Sequence, residues 1–158
     1  MTQPLTQKER MLLEDQKKHE EICIQKYQAY AAQVQDPQLK QLLNSYAEQE
    51  RRHLNTINQL LAGQVPQMNQ SQQQQQPQFQ NQASPGGAPF NQARQQEAAL
   101  LTDLLMTEKY VSGAYDTAIF EFTCPQRRAI LNHIQKEEQQ HGEGLFQYMQ
   151  AHGMYQPQ

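Results

Sequence analysis

Two stretches in the first part of the chain place apolar residues at the spacing of an α-helix. Steps of three, four and seven residues keep side chains on one face of a helix. One glutamate lies on the first stripe, which comprises Leu13, Glu20, Ile24, Tyr27, Ala31 and Val34. A glutamate and a histidine lie on the second, which comprises Leu39, Leu42, Leu43, Tyr46, Glu50, His53, Ile57, Leu60 and Leu61. These patterns predict two amphipathic helices.

The ends of these two helices carry their own signals. Thr6 and Glu9 have the spacing of a capping box, in which each side chain binds the other residue's backbone N–H. Asp36 followed by Pro37 ends the first helix and begins the second, because Asp is a good N-cap and Pro is tolerated at the first helical position. Gly63 provides a stop. We therefore predict a helical hairpin over residues 6–63.

Two further stripes of the same kind follow in the last part of the chain. The third helix is predicted to begin near Asn91, with an inner face of Leu101, Leu104, Leu105, Glu108, Val111, Tyr115, Ile119 and Phe122. The fourth is predicted to begin at Pro125, with an inner face of Ile130, Leu131, Ile134, Glu138, His141, Leu145, Tyr148 and Met149. They form a second predicted hairpin over residues 92–151, followed by a short tail, 152–158, that is either frayed or docked.

Residues 64–91, between the two hairpins, have a different composition. They contain an unbroken glutamine run at 72–76 and the sequence Ser84-Pro85-Gly86-Gly87. Such a segment has too few apolar side chains to order itself. We predict a disordered, glutamine-rich linker that serves as a plain tether.

The two predicted hairpins are related by an internal duplication. A shift of 88 residues aligns them over about 45 residues without a gap. The identical pairs are mostly apolar, turn-forming or capable of binding a metal: Leu13 and Leu101, Asp15 and Asp103, Glu20 and Glu108, Tyr27 and Tyr115, Pro37 and Pro125, Leu43 and Leu131, Glu50 and Glu138, His53 and His141. A duplicated helical hairpin would retain such positions.

Composition and charge exclude several classes of protein. The chain has 158 residues, which is enough for one domain with a core. Its formal net charge of −3 does not indicate the excess of basic residues that is typical of nucleic-acid-binding proteins. No apolar run is long enough for a transmembrane helix. The first residues lack the charged and apolar regions of a signal peptide, so we expect no secretion by that route. Cys23 and Cys124 are expected to be small buried residues rather than a disulfide framework.

The hairpin geometry predicts how the four helices assemble. Helices joined by a turn of two or three residues run antiparallel, so residues equidistant from the turn stand at one level. Glu20 faces Glu50 by this argument, and Glu108 faces Glu138, each pair about 22 Å from its turn at a rise of about 1.5 Å per residue. Two-fold packing of the hairpins makes the second and third helices parallel, which requires a long crossover such as 64–91. The prediction is an all-α four-helix bundle.

Six side chains converge at the centre of this predicted bundle. The repeated step Glu-x-x-His places a carboxylate and an imidazole on one helix face, and each remaining helix adds one glutamate. The predicted metal ligands are Glu20, Glu50, His53, Glu108, Glu138 and His141. Hard carboxylate oxygens and imidazole nitrogens suit two transition-metal ions, with Fe or Mn preferred and Zn as another choice.

The same residues allow other readings. A glutamate on an apolar stripe can reach water at the helix edge, and an inherited site can persist without metal through protonation and hydrogen bonding. Tyr27 and Tyr115 are expected to be core aromatics, with contact to the ligands or a redox role as the alternatives. Asp15 and Asp103 either orient the ligand histidines or lie at the surface. The remaining histidines are expected to be solvated: His19, His133 and His152.

The donor set and two sequence motifs resemble known families. One glutamate from each of two helices plus Glu-x-x-His from each of the others resembles the ferritin-like di-iron and di-manganese proteins, such as relatives of rubrerythrin and manganese catalase. The sequences Asp36-Pro37-Gln38-Leu39-Lys40-Gln41-Leu42 and Tyr148-Met149-Gln150-Ala151-His152-Gly153-Met154-Tyr155 resemble the Coat F family of spore coat proteins. This second resemblance implies a ferritin-like bundle and a role in sporulation. It also implies a place in the spore coat, or in the forespore or mother-cell cytoplasm.

Two functions follow from these resemblances. The first is a structural or interaction protein of the spore coat, with other coat proteins as partners, possible self-association as a homodimer, and a dinuclear metal site in its core. The alternative is a di-iron or di-manganese redox enzyme that consumes peroxide or oxidises iron, in which an open coordination position takes the oxidant. No catalytic residue can be assigned beyond the six ligands.

Overall fold

The chain folds into four long helices. A computed structural model describes residues 3–68 and 92–157, and these residues contain no β-strand. The helices are α1 (Gln7–Gln33), α2 (Pro37–Leu61), α3 (Gln92–Glu121) and α4 (Pro125–Ala151). The prediction of an all-α protein with four helices is confirmed.

The helix ends follow the capping signals of the sequence. Thr6 caps α1, with its side chain accepting from the Glu9 N–H at 3.1 Å while Glu9 Oε2 accepts from the Thr6 N–H at 2.9 Å. Asp36 caps α2 by accepting from the Gln38 N–H at 2.9 Å. Gly63 follows the end of α2 with φ of 81°, a left-handed conformation that glycine adopts without a Cβ penalty. The capping box, the Asp36 cap and the glycine stop are therefore confirmed.

Glu9 also reaches the opposite hairpin. Its Oε1 accepts from the backbone N–H of Thr123 at 2.8 Å and from the Thr123 hydroxyl at 3.0 Å. The Glu9 side chain is fully buried. One carboxylate therefore holds the start of α1 against the connection between α3 and α4.

The two hairpins pack with α1 against α3 and α2 against α4. Lys8 near the start of α1 pairs with Glu121 at the end of α3 at 2.8 Å, and Lys26 pairs with Asp103 at 3.0 Å. Residues near the start of α1 thus contact residues near the end of α3, and later residues of α1 contact earlier residues of α3. These two helices are therefore antiparallel. Because α1 is also antiparallel to α2, α2 and α3 run parallel. The segment that joins the end of α2 to the start of α3 includes residues 69–91, which lie outside the described residues.

The core consists of two apolar clusters with a polar layer between them. Along α2, Leu43 and Tyr46 belong to one cluster and Ile57 to the other, and the buried residues between them include Glu50 and His53. The same alternation holds on α3 and α4, and on α1 Glu20 lies between Leu13 of one cluster and Tyr27 of the other. The apolar faces drive the association, and the polar layer is enclosed as a consequence.

The predicted inner faces are accurate except at their margins. Ile24, Leu61, Leu105 and Ile119 are only half-buried, while Cys23 is buried beside the first of them. A stripe that is straight on an ideal helix drifts when the helix packs at an angle, so neighbouring residues exchange places at its edge. Cys23 and Cys124 are both buried free thiols, as predicted.

Two other predictions concern the termini and membranes. The residues after α4 are docked, with Tyr155 making an edge contact with Phe146 at 5.1 Å between ring centroids. No helix within 3–68 and 92–157 has the length and apolar character that a bilayer span requires. The predicted linker 64–91 is largely outside the described residues, since only 64–68 fall within them.

Candidate metal centre

The structure brings together all six side chains that were predicted as ligands. Each helix supplies one glutamate, and α2 and α4 each add a histidine one helical turn later. All are buried, with exposed fractions of 0 to 3 %: Glu20, Glu50, His53, Glu108, Glu138 and His141. The alternative reading, in which these glutamates reach water at helix edges, does not hold. Metal binding by the six residues stays a prediction.

These residues form two groups of four that share two members. The ligand atoms within each group lie within 4.8 Å of one another. One group comprises Glu20, Glu50, His53 and Glu138; the other comprises Glu50, Glu108, Glu138 and His141. Glu50 and Glu138 belong to both groups. Two ions would thus be held by these six residues, with Glu50 and Glu138 available to both ions and each of the other four available to one.

The two histidines reach across between α2 and α4. His53 Nδ1 lies 2.8 Å from Glu138 Oε1, and His141 Nδ1 lies 2.9 Å from Glu50 Oε1. Each histidine thus contacts the glutamate of the other Glu-x-x-His step as well as its own. Both Nδ1 atoms point to the centre of the cluster, which leaves both Nε2 atoms directed away from it.

Two buried tyrosines bind the remaining glutamates. Tyr115 on α3 donates to Glu20 Oε1 at 2.5 Å, and Tyr27 on α1 donates to Glu108 Oε1. Burial, together with the nearby carboxylates, raises the pKa of both phenols well above the ordinary value, so both remain protonated donors. The tyrosines are core residues, as predicted, and they also hold the carboxylates that each opposite hairpin supplies.

The electrostatics of the cluster are unfavourable without added positive charge. Burial and the adjacent carboxylates of Glu20 and Glu108 raise the pKa of Glu50 and of Glu138 well above the ordinary value. Burial also acts to raise the pKa of Glu20, but hydrogen bonds from Glu50 and His53 outweigh it and lower that pKa to about 2. Without cations the cluster therefore favours the protonated forms of Glu50 and Glu138.

Several buried acceptor atoms of the cluster lack a hydrogen bond. Within the described residues, no donor reaches Glu20 Oε2, Glu108 Oε2 or Glu138 Oε2. A buried carboxylate oxygen without a partner costs about 1–3 kcal/mol or more. Divalent cations would satisfy these oxygens and replace the retained protons, so the donor set fits a dinuclear metal site.

The outward-facing nitrogen of each histidine meets a residue that sequence analysis missed. His141 Nε2 contacts Gln49 Oε1, and His53 Nε2 lies 3.5 Å from Glu137 Oε1. Metal-binding histidines usually direct their second nitrogen to a carboxylate or carbonyl oxygen, which orients the ring. The sequence contained a signal for these two contacts, because Gln49 and Glu137 each directly precede the glutamate of a Glu-x-x-His step.

Other predicted neighbours of the site lie elsewhere. Asp15 is exposed, and Asp103 binds Tyr30 at 2.6 Å and Lys26 at 3.0 Å. These partners take up both Asp103 oxygens, so Asp103 does not orient a ligand histidine. The surface alternative therefore holds for both aspartates.

Of the remaining histidines, His133 is exposed, as predicted, whereas His19 and His152 are half-buried. His133 Nε2 pairs with Glu137 Oε1 at 2.9 Å, which places it next to the site. His152 stacks on Tyr148 with ring centroids 4.0 Å apart, and His19 Nδ1 lies 2.5 Å from Gln16 Oε1. These contacts were not predicted, because each joins a histidine to a side chain about one helical turn away. The analysis of apolar stripes does not detect such pairs.

The fold and the site define this chain as a four-helix bundle with a buried cluster of carboxylates and imidazoles. Residues 96–158 match the model of the Coat F domain. The match begins in α3 and includes all of α4, with Glu108, Glu138 and His141, while the first hairpin lies outside it. Comparison with curated proteins and with solved structures gives no match.

Proposed function

We propose that this protein is a spore coat-associated bundle that holds two transition-metal ions in its core. The observation that carries the metal proposal is the burial of four carboxylates and two imidazoles within ligand distance of one another. The match of residues 96–158 to the Coat F domain supports the spore coat context. Other coat proteins are the expected partners, and a homodimer is a further expectation.

The architecture supports assignment to the ferritin-like class. Two antiparallel hairpins related by internal duplication, a long crossover connection and Glu-x-x-His on two of four helices are the features of that class. We accordingly treat residues 1–158 as one ferritin-like domain, with both hairpins supplying ligands to one centre.

The donor set narrows the choice of ion. Carboxylate oxygens with one imidazole for each ion suit Fe or Mn and permit Zn, whereas a site without thiolates does not favour Cu(I). Four carboxylates and two neutral imidazoles balance the charge of two divalent ions. A redox reaction is not included in the proposal, because the match to the Coat F domain names no activity.

Elemental analysis of the full chain tests the metal proposal. Protein purified without chelator, or incubated with Fe²⁺, Mn²⁺ or Zn²⁺ and then desalted, is expected to carry about two ions per chain. Glu20→Gln should lose at least one ion, and Glu21→Gln serves as the matched control because Glu21 is the exposed neighbour on the same helix. Absence of bound metal in the unmodified chain under all these conditions would overturn the proposal.

The spore coat assignment needs a separate experiment. A fluorescent fusion of the full chain, expressed in a sporulating endospore-forming bacterium, should collect in the outer layers of the spore. Fluorescence spread evenly through vegetative cells and excluded from spores would contradict the assignment and leave the metal proposal unaffected.

A further inference from the structure

The two histidines of the centre are covered in different ways. The ring of Tyr46 stacks on His141 with centroids 4.3 Å apart, and a Cβ placed on Gly144 would clash with the Tyr46 hydroxyl oxygen. Tyr46 therefore covers one face of His141 and packs closely against Gly144. No comparable aromatic ring covers His53 within the described residues, apart from the contact with His141 itself.

The internal duplication shows why the coverage differs. A shift of 88 residues aligns Tyr46 with Ile134 and Gly144 with Thr56. An aliphatic side chain, Ile134, thus lies beside His53, whereas a tyrosine ring lies beside His141. The space that Tyr46 occupies on one side of the bundle has no equivalent occupant on the other.

A cavity lies at the position left open in this way. Its volume is about 190 Å³, and its lining includes His53, Thr56, His133, Ile134 and Glu137. A water molecule takes about 30 Å³ in the liquid, so the cavity can admit a partly hydrated ion.

Three polar side chains in this cavity form a graded path from solvent to the centre. The exposed fraction of the side chain falls from 50 % at His133 to 21 % at Glu137 and 4 % at His53. Glu137 Oε1 lies 2.9 Å from His133 Nε2 and 3.5 Å from His53 Nε2. His53 Nε2 is buried and makes no hydrogen bond with any described residue, although it belongs to a residue of the cavity wall.

We infer that this cavity is the route by which divalent transition-metal ions reach the buried centre. The inference rests on the proposed metal-binding function. His133 and Glu137 act as transfer ligands: an ion exchanges water for an imidazole nitrogen and a carboxylate oxygen near the surface. It then passes His53 to reach the oxygens of Glu50 and Glu138.

The chemistry of the path suits such an ion. Imidazole and carboxylate are ligands for Fe, Mn, Zn and Co. One carboxylate and one half-exposed imidazole occupy only a few of the ion's coordination positions, so they do not hold it permanently. Of the four buried carboxyls beyond His53, those of Glu20 and Glu108 are charged in the metal-free cluster and attract cations inward. Arg52 also lines the cavity, and its one positive charge is smaller than these two negative charges.

The rate of metal uptake tests this route. The full chain, freed of metal by dialysis against chelator, is mixed with Co²⁺ in a stopped-flow instrument, and the visible absorption of bound Co²⁺ is followed. Glu137→Gln is expected to slow uptake by about tenfold, which is the low end of the rate gain that a charged cleft gives. His133→Ala should slow it in the same direction.

Two further variants separate a route from a structural role. Thr56→Phe should close the cavity and slow uptake at least as much, with the final number of bound ions unchanged. Ser45→Ala, at the position equivalent to His133 in the other half, should leave the rate unchanged. Should one variant fail to fold, His133→Ala decides the matter, because the His133 side chain is half exposed.

The outcomes distinguish this inference from the proposed function. Two bound Co²⁺ ions with uptake rates unchanged in His133→Ala and Thr56→Phe would overturn the route and leave the metal centre standing. A lower final number of bound ions in His133→Ala, without a change in rate, would also overturn it by making His133 a ligand. Absence of Co²⁺ uptake by the unmodified chain would overturn both.

Discussion

Tyr115 on α3 donates a hydrogen bond of 2.5 Å to Glu20 on α1. Tyr115 thereby links the two hairpins at the level of the buried centre, where α1 and α3 pass each other. The duplication produces the reciprocal contact, from Tyr27 on α1 to Glu108 on α3. Each hairpin thus supplies the phenol that holds the glutamate on the first helix of the other hairpin.

Removal of this phenol should destabilise the metal-free protein. We expect Tyr115→Phe to lower the free energy of unfolding by about 1.5–3 kcal/mol, the cost of losing a hydrogen bond to a charged group. Denaturant unfolding of the chelator-treated chain measures it. Tyr110→Phe is the control, because Tyr110 lies on the same helix with an exposed fraction of 68 %. Equal effects of the two substitutions would contradict the role assigned to Tyr115.

Replacement of a shared carboxylate should have opposite effects on stability and on metal binding. Glu50 is buried beside Glu20 and Glu108, and this repulsion raises its pKa. Glu50→Gln removes the cost of protonating this buried carboxyl at pH 7, so we expect the metal-free chain to gain about 1 kcal/mol in free energy of unfolding. The same substitution should abolish the rise in melting temperature on addition of Mn²⁺, because a carboxylate that both ligand groups share is lost.

The unmodified chain provides the reference for that experiment. Saturating metal at 100 times its dissociation constant should stabilise it by about 2.7 kcal/mol. Glu21→Gln should behave like the unmodified chain in both measurements. A metal-free Glu50→Gln that is clearly less stable than the unmodified chain would show that carboxylate repulsion is not the dominant interaction in the cluster.

Gly144 is required by the position of Tyr46. A Cβ at residue 144 would lie 3.1 Å from Tyr46 Cζ and closer still to the hydroxyl oxygen. We expect Gly144→Ala to cost about 1–3 kcal/mol through overpacking. Addition of Tyr46→Phe should recover part of that loss, since it removes the clashing oxygen. The measurement is a double-mutant cycle by denaturant unfolding.

Gly113→Ala is the matched control for this pair. Gly113 lies within α3, and a Cβ there would have no heavy atom within 4 Å. Ala is about 0.5–1 kcal/mol more favourable than Gly in a helix interior, so this variant should be stabilised. Additive effects of Gly144→Ala and Tyr46→Phe would mean that the two residues do not interact.

Glu9 should make the stability of the fold depend on pH in the acid range. Burial acts to raise the pKa of Glu9, but hydrogen bonds from Thr123 and Thr6 and the charge of Arg127 outweigh it, so the pKa lies below 4.5. The unfolded state then binds the proton more readily than the folded state. The contribution of Glu9 is complete above pH 4.5 and is lost as pH falls through the lowered pKa.

Unfolding free energies measured from pH 7 to pH 3 check this expectation. Glu9→Gln should cost about 1–3 kcal/mol at pH 7, because a buried acceptor is lost, and the cost should shrink toward pH 3. Glu14→Gln, at an exposed position of the same helix, is expected to have no effect. A cost for Glu9→Gln that does not change with pH would contradict the assigned direction.

The sequence determined the helices and the membership of the cluster. Apolar stripes, the Thr6 and Asp36 caps and the 88-residue repeat are local or periodic signals, and they located four helices and the six buried glutamates and histidines of the central cluster. Antiparallel geometry within a hairpin also follows from a short turn alone. These features need no knowledge of how the helices finally pack.

Only the tertiary structure decided which side chains complete the site. Tyr27 and Glu108, Gln49 and His141, and Glu9 and Thr123 are far apart in the chain, and each contact depends on the rotation and register of two packed helices. The cavity beside His53 likewise follows from the packing, because the side chains of Ile134 and Thr56 leave this space unfilled. A one-dimensional pattern specifies the face on which a residue lies, whereas its partner across an interface is set by the packing of whole helices.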